Sequence, residues 1–266
     1  MAGTKIPVIF VHGLWLHSSS WQNWVNLFDE AGYMALTADW PGDAKTVAEA
    51  RKHPEQVANK GLEEIVDYHA EQIRKLGSKP IVIGHSFGGL IVEKLAGMGL
   101  ASATVAIDPA PMKGVYVLPL SALRVASIAL KNPTNKKRSV SITEDEFRYG
   151  FGNAISPVES RALYDAWSVP SPGKPLFEAA SANFLPHSPA KADTKNPERG
   201  PLLIIGGGHD HTVPASISRS SFKLEDKSQA ETDLHVFDDR GHSLTIDSGW
   251  LEVASYILNW LKQQSL

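Results

Sequence analysis

The sequence predicts an α/β fold: a mostly parallel sheet of about six strands, helices on both faces, and a helical lid inserted before the penultimate strand. Three observations predict it. Short runs that are apolar throughout recur along the chain, and runs without polar alternation read as parallel strands buried on both faces. Helical periodicity fills most of the intervals between them, the pattern of right-handed strand–helix–strand units. One interval is far longer than the dozen or so residues that such a crossover needs.

In order, the strands fall at residues 6–11, 33–38, 80–83, 103–107, 202–205 and 234–237. After the first, Trp21, Trp24, Val25 and Phe28 share one helical face. Leu62, Ile65, Val66, His69 and Ile73 do so before the third strand, and Leu90, Ile91, Lys94 and Leu95 after it. Residues 250–261, with Leu251, Ala254, Tyr256, Ile257 and Trp260, close the chain as a final helix. The expected order is 2-1-3-4-5-6, which reverses its winding between strands one and three.

The long interval divides the chain. Residues 1–110 and 200–266 form the core, and residues 111–199 form a helical cap. Within the cap, Ser156-Pro157-Val158-Glu159 reads as a helix start: an N-cap serine, proline at the first position and a glutamate completing a capping box. Residues 170–175 and 186–197 are proline-rich loops. An insertion of this size on a compact sheet covers whatever the sheet presents.

Composition narrows the function. The 266 residues, 42% of them hydrophobic, suit one large domain better than two. A net charge of -3 with mixed signs argues against nucleic acid, and Lys136-Lys137-Arg138 reads as a solvated loop. No stretch approaches the roughly 18 apolar residues of a membrane span. The first eleven residues read as the approach to a strand and not as a cleaved signal. With no cysteine, thiolate catalysis, disulfides and Cys-ligated metals are excluded, which fits a cytoplasmic protein.

The chemistry concentrates in three places. Gly84-His85-Ser86-Phe87-Gly88 joins the apolar Ile81-Val82-Ile83 to an apolar helix and matches G-x-S-x-G. In so tight a turn the serine takes strained backbone angles, and flanking glycines relieve crowding. A serine needs a base and an orienting acid to become nucleophilic. Asp210, in Gly206-Gly207-Gly208-His209-Asp210, lies just past the fifth strand, and His242, in Gly241-His242-Ser243, past the sixth. Both therefore sit at the carboxyl edge where Ser86 sits and where open α/β sheets bind ligands.

On these residues the chain resembles the α/β-hydrolase fold superfamily over nearly its whole length. The resemblance implies Ser86 as nucleophile, His242 as general base and acid, and Asp210 as orienting carboxylate. Asp108, in Ile107-Asp108-Pro109, follows a strand too and is an alternative acid. Val11-His12-Gly13-Leu14-Trp15 resembles the family's oxyanion loop, implying the amides of Leu14 and Phe87 as donors. His12 and His85 read as structural neighbours of those donors. With little chain before the first strand, the sequence resembles the smaller branch that lacks an N-terminal strand pair and includes plant methylesterases and hydroxynitrile lyases. The lyases carry a threonine at the position of Gly13 and a lysine soon after the histidine; Gly13 and Ser243-Leu244 favour ester hydrolysis instead.

The expected activity is a serine esterase that cleaves a small-to-medium apolar ester through an acyl-enzyme, with no metal or organic cofactor, a small-molecule ester as its partner, and the oligomeric state left open by the sequence. Alternatives on the same triad are a lactonase, a perhydrolase or a C–C bond hydrolase; a non-catalytic ligand-binding protein of this fold is another. Trp15, Phe147, Phe151 and Trp167 are expected to touch substrate, with Val115, Tyr116, Leu118, Leu123, Leu163 and Phe184 as further apolar wall. His209-Asp210-His211 reads as no metal site, because no third cluster accompanies it. Gly206-Gly207-Gly208 lacks the spacing of a dinucleotide fingerprint.

Overall fold

The computed structural model describes residues 5–266; the first four, part of the stretch read as leading straight into a strand, lie outside the described residues. The first half runs β1 (Pro7–Val11), α1 (Gln22–Glu30), β2 (Met34–Ala38), α2 (Val47–Lys52), α3 (Leu62–Lys75), β3 (Ile81–His85), α4 (Phe87–Gly97) and β4 (Ala103–Ile107). Then come α5 (Leu120–Leu130), β5 (Ser139–Val140), α6 (Glu144–Gly150), α7 (Pro157–Trp167), β6 (Ser171–Pro172) and α8 (Lys174–Ala180). The chain returns to the sheet with β7 (Leu202–Gly207), α9 (Ala215–Glu225), β8 (Thr232–Phe237) and α10 (Trp250–Gln263).

Six strands pair in the order β2-β1-β3-β4-β7-β8, every pair parallel, as expected. Alternate residues of each central strand feed separate cores. Val8, Phe10, Ile81 and Ile83 face α1 and α10, whereas Ile9, Val11 and Val82 face α3, α4 and α9. Neither face meets water, which is why these runs do not alternate. On the first face Phe10 lies 5.1 Å from the Trp21 ring and 5.2 Å from Phe28. Buried aromatics of this kind cost about 3–5 kcal/mol when truncated to alanine.

Two expectations need correction. The runs at β2 and β8 are not fully buried: both are edge strands, and in β2 Met34 and Leu36 are 41% and 42% exposed. The helix start at Ser156 is half of what its residues imply. Ser156 caps the Glu159 amide, but the Glu159 carboxylate accepts from the Ser248 amide instead of turning back. A reciprocal capping box forms instead at Thr143 and Glu146, opening α6. Among the described residues no helix is long and apolar enough to cross a membrane.

Candidate active site

Ser86 lies directly after β3 and caps α4 with φ 59° and ψ −121°. A non-glycine residue in such a conformation costs on the order of 1–3 kcal/mol and persists only where its surroundings enforce it. Here they do. The Ser86 amide donates to Ile107 O at 2.9 Å, and its carbonyl accepts from the Ala110 amide at 2.9 Å. A Cβ on Gly84 would strike the Gly88 backbone, and one on Gly88 the carbonyls of Val11 and His12. The elbow can close only with glycine at both positions.

His242 sits in the loop after β8, fully buried. Its Nδ1 bonds Asp210 Oδ2 at 2.6 Å, while Asp108 Oδ2 stands 4.0 Å away. Asp210 Oδ1 accepts the amides of Thr212 (2.6 Å) and Val213 (2.8 Å), so both of its oxygens are engaged by donors. Asp108 takes only the Gly207 amide, at 2.7 Å. Burial first, and then the charge of Asp210, hold the Asp108 carboxyl well above the usual carboxylate range, with the Gly207 amide opposing. Two adjacent carboxylates cannot both ionise cheaply. Asp210, with both oxygens engaged by donors, is the better placed of the two to orient His242, and Asp108 is the one that burial and its neighbour push up.

The other ring nitrogen, His242 Nε2, is buried and has no hydrogen-bond partner, Ser86 Oγ included. The ring is held by the His85 ring at 4.5 Å and the Phe151 ring at 4.7 Å. Burial, and then His242, push His85 well below the usual imidazole range. His85 is thus a neutral spacer beside Ser86.

The loop after β1 presses on the elbow from the other side. A Cβ on Gly13 would come within 2.7 Å of Ser86 Cβ, so the loop approaches Ser86 as closely as backbone can. The next peptide carries the Leu14 amide, which has no hydrogen-bond acceptor among the described residues. Trp15 follows with φ 65°. Its amide donates to Ser171 Oγ (2.6 Å) and its indole to Val140 O (3.0 Å), tying the loop to β5 and β6.

Ser86 opens into a cavity of about 260 Å³ whose wall is almost wholly apolar. Leu14, Phe87, Trp15, Val115, Leu123 and Phe184 are among the residues lining it. Phe147, Phe151, Leu163 and Trp167 are not, contrary to expectation. Phe147 stacks on Phe151 at 4.9 Å, and that pair fills the core behind His242. Trp167 uses its carbonyl to accept from the His17 amide. A larger hollow of about 770 Å³ beside Lys94 and Asp193 does not touch Ser86.

His85, Asp108 and His242 offer ligand atoms within 4.8 Å of one another, the trio with a metal-like arrangement among the described residues. His209, Asp210 and His211 diverge: Asp210 turns inward, and His211 Nδ1 engages Tyr149 O. Sequence reasoning missed a second buried imidazole–carboxylate pair. His12 Nε2 meets Asp43 Oδ2 at 2.8 Å, beneath the Gly13–Leu14 peptide. The Trp40-Pro41-Gly42-Asp43 turn carries no signal that would have named it.

A family model described as the alpha/beta hydrolase family matches residues 8–255. Among solved structures, the chain is similar to a monoacylglycerol lipase of Paleococcus ferrophilus (TM-score 0.70, 24% identity, 96% of this chain and 93% of that one). It is similar also to a methylesterase from Arabidopsis (TM-score 0.67, 18% identity, 97% and 99%). A third is an extracellular alpha/beta-hydrolase from a Paenibacillus species (TM-score 0.67, 15% identity, 96% and 98%). No curated protein matches the sequence. With the model spanning nearly the whole chain and the sheet order in agreement, the chain belongs to the alpha/beta hydrolase family.

Proposed function

We propose that this protein is a serine hydrolase that cleaves a carboxylic ester of small-to-medium, apolar character. One observation carries the reading: a serine forced to positive φ at the tip of β3 faces an apolar cavity. A carboxylate-held imidazole with one free nitrogen is packed beside that elbow. His242 Nε2 takes the Ser86 proton as Oγ attacks the ester carbonyl. Such contacts are often long in a resting enzyme and tighten when substrate binds. The amides of Leu14 and Phe87 receive the oxyanion; as the first residue of α4, Phe87 has an amide that the helix leaves free. The His242 imidazolium then protonates the leaving alcohol as the C–O bond breaks, and the acyl group stays on Ser86. Water, losing a proton to the same nitrogen, releases the acid. Asp210 stabilises the imidazolium without taking the proton itself.

Residues 111–199 act as the cap, supplying Val115, Leu123 and Phe184 to the cavity wall. A volume of about 260 Å³ with no charged side chain in its wall favours an uncharged acyl or alcohol group of modest size. Fluorophosphonate labelling, read by mass of the peptide carrying Ser86, tests the chemistry. A single adduct on Ser86, and esterase turnover that falls once acyl chains outgrow the cavity, are expected. An unlabelled Ser86 in folded protein would overturn the reading. Lactones in the same substrate panel separate an esterase from a lactonase.

A further inference from the structure

The His12–Asp43 pair beneath the oxyanion loop has a stoichiometry that fixes its charge. His12 Nδ1 lies 2.8 Å from Gly13 O, and Nε2 lies 2.8 Å from Asp43 Oδ2. A carbonyl can only accept. Asp43 Oδ2 already accepts the Trp40 amide at 2.6 Å and belongs to an ionised carboxylate. Both ring nitrogens must therefore carry hydrogen, so His12 is an imidazolium. It is 4% exposed, with the Trp40 ring stacked over it at 5.0 Å.

We infer that the His12 imidazolium, held by Asp43, is a positioning residue that aims the Leu14 amide at Ser86. In a planar trans peptide the C=O and the following N–H point in opposite directions. Anchoring the Gly13 carbonyl on His12 turns the Leu14 N–H the other way. Gly13 itself packs against Ser86, where an added Cβ would come within 3.3 Å of Oγ, so we place the amide turned away from His12 on the Ser86 side. When His12 loses a proton, either the Gly13 carbonyl or Asp43 loses its donor, and the peptide is free to rotate.

The surroundings suit a permanent charge. Burial opposes it most strongly, but Asp43, the Gly13 carbonyl and Asp39 outweigh burial and raise His12 above the usual imidazole range. From α3, His69 faces the pair and stays neutral, pushed down to about 4 by burial and then by His12. His17 also lies on the Asp43 side, its Nδ1 accepting the Ser19 amide at 3.2 Å and its Nε2 bonding Ala44 O at 3.0 Å.

This inference rests on the hydrolase reading, and its test separates the two. Long-range ¹H–¹⁵N spectra of the imidazoles should show His12 doubly protonated at pH 7.5, with the Leu14 amide resonance following the His12 titration. In Asp43→Asn, kcat should fall by about tenfold or more with KM little changed, less than the roughly 10²–10³ of losing a donor outright. The alkaline limb of its pH profile should move down by about a unit or more, while the acid limb stays. A singly protonated His12, a Leu14 amide blind to its titration, or an unmoved alkaline limb would overturn the inference. Should Asp43→Asn fail to fold, the spectra of the unaltered protein decide. Should Ser86 resist fluorophosphonate, the hydrolase reading falls, and the Leu14 titration still decides the positioning role.

Discussion

Two buried imidazole–carboxylate pairs stand on either side of Ser86, and they differ in one hydrogen bond. At His242 the carboxylate holds Nδ1 and nothing holds Nε2. At His12 the carboxylate holds Nε2 and a carbonyl holds Nδ1. The first ring has one nitrogen unengaged; the second has both engaged. Under the proposed mechanism the same two residue types thus serve as a proton acceptor in one loop and, by the inference above, as a fixed cation in the other. What separates them is the partner of the second nitrogen, a feature of backbone path that residue identity does not disclose.

The comparison can be broken from the catalytic side first. Ser86→Ala should abolish turnover of a p-nitrophenyl ester by about 10⁶-fold in kcat, the scale of losing a serine nucleophile. Asp210→Asn should cost about 10⁴-fold, because the amide imposes the wrong tautomer on His242. Asp108→Asn should cost far less, at most about tenfold, since Asp108 stands 4.0 Å from His242 Nδ1 where Asp210 stands at 2.6 Å. Equal losses in the two variants, measured side by side, would show that the carboxylates share the orienting task.

The two pairs should also part company in stability. The folded-state value of His12 is raised, so its contribution is complete below the ordinary imidazole value and lost as pH rises through the raised one. Asp43 is lowered, by His12 against the larger effect of burial, so its contribution is present above the ordinary carboxylate value and lost as pH falls through the lowered one. Urea unfolding of Asp43→Asn should therefore show its largest deficit at mid-range pH and a smaller one at either extreme. A deficit independent of pH would indicate packing loss alone.

A smaller effect is expected far from the site. Glu93 is fully buried between α4 and α9, bonded to Ser221 Oγ at 3.2 Å. Burial, and then Glu225, raise it well above the usual range. A raised carboxyl makes the fold less stable as pH climbs above the ordinary value, because the unfolded chain releases its proton sooner. Glu93→Gln should therefore raise the melting temperature at pH 8 and change it little near pH 4.

The sheet and the elbow were legible in the sequence because their signals are local. Unbroken apolar runs and Gly84-x-Ser86-x-Gly88 state their own requirements, and the clashes that a Cβ would cause at both glycines are the physical content of the motif. The positions of Asp210 and His242 followed from strand counting. The pocket wall did not follow. Phe147 and Phe151 have the composition of a binding surface, but α6 directs them behind His242, and only tertiary packing decides that direction. His12 was visible and its charge was not, because Asp43 is remote in sequence and the Gly13 carbonyl is backbone.

Trp15 bonds the insertion twice, through Ser171 Oγ and Val140 O, one residue beyond the candidate oxyanion donor. The inserted segment is thereby fastened to the loop that packs against Ser86. If the proposed function holds, exchanging this insertion for a foreign one should change how fast bonds are cut as well as which molecules are admitted, unless the graft reproduced those two anchors.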